Sequence, residues 1–90
     1  MNLKFEWSKS KAKDNYAKHG VSFEMAIGVF RDPFAFEYLD ERQDYGEERF
    51  VIIGMVDGYV LFVAYTERND VIRIISARRA TKHEQEAYFQ

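Results

Sequence analysis

The first third of the chain changes its apolar spacing from a strand-like to a helix-like pattern. Residues 3–7, LKFEW, alternate apolar and polar positions, which predicts a short first strand. The following segment, SKSKAKDNYAKH, predicts a helix that Ser8 caps and that Gly20 ends, because glycine accepts the left-handed conformation. Ser22 then predicts the start of a second helix, SFEMAIGVF, which closes before Pro33.

The rest of the chain has the pattern of strands followed by one helix. FAFEYL predicts a strand, and the acidic segment DERQDYGEE predicts a loop. The runs RFVIIGMV and YVLFVAYT flank Asp57-Gly58, a strong hairpin signal, and their nearly continuous apolarity predicts central strands. ERND then predicts a turn into a further strand, VIRIISA, which completes a four-stranded antiparallel meander. Thr81 and Glu84 have the spacing of a capping box, which predicts a last helix.

The predicted fold class is therefore α+β, in the order β-α-α-β-β-β-β-α, with a mainly antiparallel sheet. A chain of 90 residues supports one modest core, so we expect a single domain over residues 1–90. Its 47% hydrophobic and 17% aromatic content is typical of globular chains and excludes the disordered class.

Several classes of site and location are disfavoured by what the sequence lacks. It has no cysteine, so disulfides and thiolate metal sites are excluded. His19 and His83 are the only imidazoles, and the acidic loop lacks calcium-loop spacing, so we expect neither a metal nor another cofactor. The start, MNLKFEWSKSK, lacks a secretory apolar stretch, and no run is long enough to span a membrane. These patterns predict a cytoplasmic protein with no membrane partner.

The net charge of −2 conceals an uneven distribution. Residues 1–20 carry a net charge of +3, residues 21–57 carry −6 and residues 58–90 carry +1. A uniformly basic nucleic-acid binder is excluded, whereas a local basic surface formed by the two ends of the chain is compatible with this pattern.

Four arginines near the end of the chain are the clearest candidates for chemistry. Arg78 and Arg79 lie where the last predicted strand meets a helix N-terminus, a position suited to a phosphate. Arg68 ends the preceding strand and Arg73 lies within the last one, and Arg68 could reach the same face as one or both of Arg78 and Arg79. Pleating directs Arg78 and Arg79 to opposite faces unless the chain bends there. The alternative interpretation is solvated charges, or ion pairs with the acids of residues 40–48.

Five sequence blocks, taken together, resemble the BrnT family of type II toxin–antitoxin toxins. In order, they are KFEW, KHGVSFEMAIGVFRDP, YGEERFVIIG, YTER and IRIISARRAT. The resemblance extends from Phe5 to about Tyr88, and KHGVSF and RIISARRAT are its most distinctive parts.

This resemblance implies a RelE-like fold, with the two N-terminal helices packed on the sheet, and a metal-independent ribonuclease that inhibits translation. By similarity, Arg68, Arg78 and Arg79 are expected to bind phosphate and stabilise charge. His19 and Glu67 are the candidates for proton transfer. The residues expected to bind RNA are Lys9, Lys11, Lys13, Lys18 and Arg73.

The resemblance also implies partners, and it leaves other roles open. A cognate antitoxin is expected to neutralise the protein and to provide contact with operator DNA. One alternative is a catalytically silent module that binds RNA or the antitoxin. Another is a protein that acts mainly within a transcriptional co-repressor complex, in which the acidic loop could contact a basic partner segment.

Overall fold

The computed structural model describes residues 3–90, and it confirms the predicted α+β class. In chain order, the elements are β1 (Lys4–Glu6), α1 (Lys9–His19), α2 (Phe23–Ile27), a 3-10 helix (Gly28–Arg31), β2 (Phe36–Leu39), β3 (Phe50–Val56), β4 (Tyr59–Arg68), β5 (Val71–Arg79) and α3 (Lys82–Tyr88). Within residues 3–90, no helix is long and apolar enough to cross a membrane.

The strands form one mixed five-stranded sheet in the order β1-β5-β4-β3-β2. Strands β2 to β5 pair antiparallel with their neighbours, as the predicted meander requires, whereas β1 pairs in parallel with β5. β4 lies at the centre, and its residues 60–66 are buried, so the prediction from its continuous apolarity is confirmed.

Two tight turns set the register of the central strands. Asp57 and Gly58 both have positive φ, 51° and 83°, which is the backbone of a two-residue hairpin turn and confirms the predicted hairpin. Asn69 and Asp70 also have positive φ, 50° and 66°. The turn predicted at ERND is therefore confined to its last two residues, and β4 continues through Arg68.

The helix boundaries agree with the predicted caps, except at the end of the second helix. Ser8 accepts a hydrogen bond from the backbone N–H of Lys11, and Gly20 adopts a φ of 70° as the C-cap of α1. The predicted second helix divides into α2 and the 3-10 helix. Gly28 begins the 3-10 helix against Val56, whose Cγ2 atom would overlap a Cβ placed at Gly28. Only glycine allows this close approach to the sheet.

The sheet carries one apolar cluster on each face. The first face is covered by α1, α2 and the 3-10 helix, and its cluster includes Phe23, Val29, Leu61, Val63 and Ile74. On the opposite face, a smaller cluster is formed by Val51, Ile53, Val60, Phe62 and Ala80, with Tyr88 of α3 packed against it. Because α3 is short, it covers only part of this second face.

A buried asparagine joins α1 to the open edge of β5. β1 pairs with β5 only as far as Arg73, so within residues 3–90 the outer edge of β5 beyond that point has no strand partner. The Asn15 side chain accepts from the Ala77 N–H (3.1 Å) and donates to the carbonyl oxygens of Ala77 (2.8 Å) and Val21 (3.0 Å). Its amide therefore takes the place of a neighbouring strand.

We expect Asn15→Ala to lower the free energy of unfolding by about 2–4 kcal/mol, because it leaves buried backbone groups without partners. Urea denaturation measures this change. The control is Lys13→Ala on the exposed side of the same helix, which should change stability by less than about 0.5 kcal/mol. If both variants were equally stable, the amide would not be needed at this edge.

Candidate nucleic-acid interface

A β-bulge in β5 determines which arginines share a face. Ala64 pairs with Ser76, and the next residue, Tyr65, pairs with Ile74, so Ile75 has no opposite residue. Successive side chains of a strand alternate between faces, and one extra residue reverses the alternation beyond it. The bulge therefore places Arg78 on the same face as Arg73, although regular pleating would separate them.

Pairing across the sheet extends this set of arginines. Arg73 lies opposite Thr66 and Arg78 lies opposite Phe62, while alternation along β4 adds Arg68 to the same face. Arg49 comes immediately before β3, and alternation along the strand puts it on the same face as Val51 and Ile53 of the second cluster. The face opposite α1 and α2 thus carries Arg42, Arg49, Arg68, Arg73 and Arg78, and we call it the arginine face.

Arg78 is held in a defined position on this face. Its guanidinium carbon lies 3.9 Å from the centroid of the Phe62 ring, and its two terminal nitrogens donate to the Glu84 carboxylate at 2.8 and 3.0 Å. This carboxylate also accepts from the backbone N–H of Thr81, so it closes the predicted capping box of α3. The helix N-terminus that we expected to attract a phosphate is therefore occupied by Glu84. The hydrogen bond from Arg78 lowers the pKa of Glu84, so the carboxylate is ionised at neutral pH.

Arg42 approaches the same aromatic ring from the loop between β2 and β3. Its guanidinium carbon lies 5.4 Å from the Phe62 centroid. Nε and Nη2 donate to the buried Asp40 carboxylate at 2.8 and 2.7 Å, and the Tyr45 hydroxyl donates to it at 3.1 Å. The pKa of Asp40 is lowered to about 2, and the hydrogen bonds from the Arg42 side chain are the largest cause. The carboxylate therefore fixes Arg42 as a permanent cation above Phe62.

Tyr38 of β2 borders this pair of arginines. It lies on the arginine face, because it pairs with Val51 of the second cluster, and it is largely exposed. Partial burial, followed by the negative charge of Glu84, raises its pKa, so the hydroxyl is a protonated donor at neutral pH.

The other end of the arginine face carries Arg68 and Arg73. Arg68 donates to Glu47 at 2.7 Å, as the alternative interpretation from the sequence predicted, and Arg73 donates to Glu6 at 2.7 Å. From the strand register and a rise of about 3.3 Å per residue, Arg68 lies roughly 20 Å from Arg78. The two arginines share a face, as expected, but they do not form one compact cluster.

Two buried polar atoms at this end form no hydrogen bond within the described part of the chain. They are Nε of Arg49 and Oγ1 of Thr66. Thr66 is only 2% exposed, and both residues belong to the arginine face. Nε of Arg49 lies 3.8 Å from a carboxylate oxygen of Glu47, which is within ion-pair range but too long for a hydrogen bond.

Two of the predicted catalytic residues lie on the first face. Arg79 stacks over Tyr59, with its guanidinium carbon 4.4 Å from the ring centroid, and therefore points away from Arg78. Glu67 lines a small pocket with Glu37 and Tyr65, whose hydroxyl donates to Glu37. Pleating separates each of these residues from the arginine beside it in the sequence.

The other candidates lie along α1. Lys11, Lys18 and His19 line a shallow groove beside the bulge residue Ile75 and its neighbour Ser76. Lys9 and Lys13 are exposed on the same helix. The basic surface expected from the N-terminal lysines is therefore present on α1, next to the outer edge of β5.

Sequence reasoning missed three side chains around Arg78. Arg42 belongs to a strongly acidic segment that we interpreted only as a loop, and Tyr38 was assigned only to a strand. Glu84 was recognised as a capping residue but not as the partner of Arg78. The local signal for this ion pair is the short separation in sequence between Arg78, near the end of β5, and Glu84, in the first turn of α3.

A metal ion would need several ligating side chains close together in the structure. Within residues 3–90, no group of three or more His, Cys, Asp or Glu side chains is placed to hold a metal ion.

We expect the stability of the Asp40–Arg42 pair to depend on acid pH. The pKa of Asp40 is about 2 in the folded protein and 3.8 ordinarily, so its ionised form stabilises the fold above about pH 4. This contribution, on the order of 2 kcal/mol, is lost as the pH falls through about 2. Urea denaturation between pH 7 and pH 2 should show the stability difference between the wild type and Asp40→Asn shrinking towards pH 2. The control Glu41→Gln changes an exposed acid of the same loop and should leave the profile unaltered.

A difference between the wild type and Asp40→Asn that stays constant over this range would contradict the pKa of Asp40.

The comparison with protein families agrees with the family resemblance of the sequence. Residues 7–84 match the family model described as the ribonuclease toxin BrnT of type II toxin–antitoxin systems. No curated protein is detectably similar to the chain in sequence. Because the match covers most of the 90 residues, the chain belongs to the BrnT family of ribonuclease toxins of type II toxin–antitoxin systems.

Proposed function

We propose that this protein is a RelE-like endoribonuclease that cleaves RNA without a metal ion and thereby inhibits translation. The observation that carries the proposal is the arginine face, where strand pairing and the β-bulge align guanidinium groups on one side of the sheet. Membership of a ribonuclease toxin family supports the same function. Arginine suits this role because its planar fork of donors binds phosphate bidentately and stays charged at every relevant pH.

The chemistry follows from what an arginine can stabilise. In metal-independent cleavage, the 2′-hydroxyl of RNA attacks the adjacent phosphorus, and the pentavalent transition state carries more negative charge than the substrate. A fixed cation therefore binds the transition state better than the ground state, which lowers the barrier. Arg78 is the best placed group for this role, because Phe62 and Glu84 hold its guanidinium in one position.

Proton transfer requires a titratable group near the reacting phosphate. His19 and Glu67, the candidates from the family resemblance, remain proposals, and they lie on α1 and on the first face. The arginine face offers Glu84, an ionised carboxylate in contact with Arg78, and the protonated hydroxyl of Tyr38. A carboxylate can accept the proton of the 2′-hydroxyl, and a phenol can donate one to the leaving oxygen.

The remaining basic residues fit the role of guiding the RNA backbone. Arg68 and Arg73 extend the arginine face away from Arg78, and contacts of this kind position a nucleic acid without reading its sequence. The α1 lysines lie beyond the outer edge of β5. Arg79 lies on the first face, so it would contact RNA only where the RNA chain passes around the end of the sheet.

The biological setting follows from the family. A type II toxin has an antitoxin partner, and we propose that the antitoxin neutralises this toxin by covering the arginine face. Operator DNA would be contacted through the antitoxin, since the toxin has a net charge of −2. Cleavage of cellular RNA is compatible with the cytoplasmic location expected from the sequence.

A second candidate function is a catalytically silent module that binds RNA or the antitoxin. One observation favours it: Arg42, Arg68, Arg73 and Arg78 are each paired with a carboxylate. A face of paired charges can hold a protein or an RNA through exchange of ion pairs without performing chemistry. In that case, the wild type binds RNA but leaves it intact.

We expect Arg78→Ala to reduce RNA cleavage by about 10²–10³-fold, the effect of removing one donor to a developing anion. The assay is cleavage of total cellular RNA with EDTA present, together with growth arrest on induction. Circular dichroism verifies that the variant is folded. Intact cleavage by a folded Arg78→Ala protein would remove this arginine from the mechanism.

The matched control is Arg31→Ala, which removes the same charge from an exposed position in the 3-10 helix, on the opposite side of the sheet. It should cleave like the wild type. Cleavage that stops in EDTA would exclude the metal-independent mechanism, and RNA that is bound but never cut by the wild type would support the silent module.

A further inference from the structure

Arg42 and Arg78 meet on a single aromatic ring although they come from opposite ends of the folded sheet. We propose that Arg42 is the second arm of a phosphate clamp whose first arm is Arg78, and that the clamp holds the backbone of single-stranded RNA. The proposal rests on the proposed function of the arginine face and adds a residue from the acidic loop to it.

The geometry favours a two-armed site centred on Phe62. The two guanidinium carbons lie 3.9 Å and 5.4 Å from its ring centroid, so their separation cannot exceed the sum of these distances. Within residues 3–90, no other arginine lies over this ring. Arg79, although it is next to Arg78 in the sequence, stacks on Tyr59 of the other face. The pair that can act on one phosphate is thus Arg42 with Arg78, rather than Arg78 with Arg79.

The guanidinium of Arg42 is both oriented and accessible to a ligand. The Asp40 side chain is only 2% exposed, whereas that of Arg42 is 59% exposed, so a buried carboxylate orients a guanidinium that faces solvent. Asp40 accepts from Nε and Nη2, which leaves Nη1 of the planar fork for another acceptor. The ordering of the long side chain is thereby completed before RNA binds, which reduces the entropy lost on binding.

A phosphate fits this site better than other anions do. Two forks offer several N–H donors from two directions, which matches the non-bridging oxygens of a phosphodiester. Asp40 and Glu84 each occupy one edge of a fork, so the remaining N–H donors come from two separate guanidinium groups. The tetrahedral oxygens of a phosphodiester can accept from both directions more readily than the planar oxygens of one carboxylate. The protonated hydroxyl of Tyr38 at the border of the site provides a further donor.

The test is the salt dependence of RNA binding by the wild type, Arg42→Ala and Arg31→Ala. The probe is a mixed-sequence, single-stranded 2′-O-methyl RNA, which lacks the attacking hydroxyl and so reports binding without cleavage. Each phosphate contact on a single strand contributes about 0.7 to the slope of log K against log salt concentration. We expect Arg42→Ala to reduce this slope by about 0.7 and to weaken binding by roughly tenfold, whereas Arg31→Ala keeps the wild-type slope.

A third variant distinguishes the loss of the phosphate contact from a change in the folding of the Arg42 loop. Arg42→Lys keeps a cation that can pair with Asp40 but loses the planar fork, so we expect it to retain the wild-type slope with weaker binding. If Arg42→Ala kept the wild-type slope and affinity, the clamp would be excluded, while the proposed ribonuclease would still stand on the cleavage defect of Arg78→Ala. A wild type that binds none of the RNA would overturn both.

Discussion

The register of the β4–β5 hairpin is the constraint on which the arginine face depends. The two-residue turn at Asn69-Asp70 fixes the pairing at one end, and the bulge at Ile75 shifts it by one residue halfway along. Because strand side chains alternate with a period of two, this single extra residue transfers Arg78 to the face of Arg73. Asn15 supports the same segment from outside by satisfying the backbone of Ala77, immediately before Arg78.

The charges on the arginine face are paired before any ligand binds. Pairs between exposed side chains, such as Arg68–Glu47 and Arg73–Glu6, contribute little to stability, typically about 0–1 kcal/mol. The Arg42–Asp40 pair differs from them because its carboxylate is buried. Their main effect is on geometry, since a carboxylate holds a guanidinium in one rotamer. Glu84 has two such roles, because one carboxylate caps α3 and orients Arg78. The arrangement also shows how a chain of net charge −2 can gather arginines on one face of its sheet.

Most of the fold could be predicted from local signals. Caps at Ser8, Gly20 and Thr81 and the hairpin at Asp57-Gly58 are confirmed, because each depends on residues close together in the sequence. The second helix was predicted too long, since its change to a 3-10 helix depends on the fit of Gly28 against a distant strand. The parallel pairing of β1 with β5 joins the two ends of the chain, and no local pattern contains it.

By itself, the sequence determined the class of fold, the family and the presence of Arg78 at the end of the last strand. Only the tertiary structure decided which side chains accompany it. Arg42 approaches Arg78 through the folding of an acidic loop onto Phe62, and Arg79 is excluded by pleating. The physical reason is that a site is formed by contacts across strands, and these depend on register. Register is set by a bulge and by turns whose effect on distant residues appears only when the sheet is assembled.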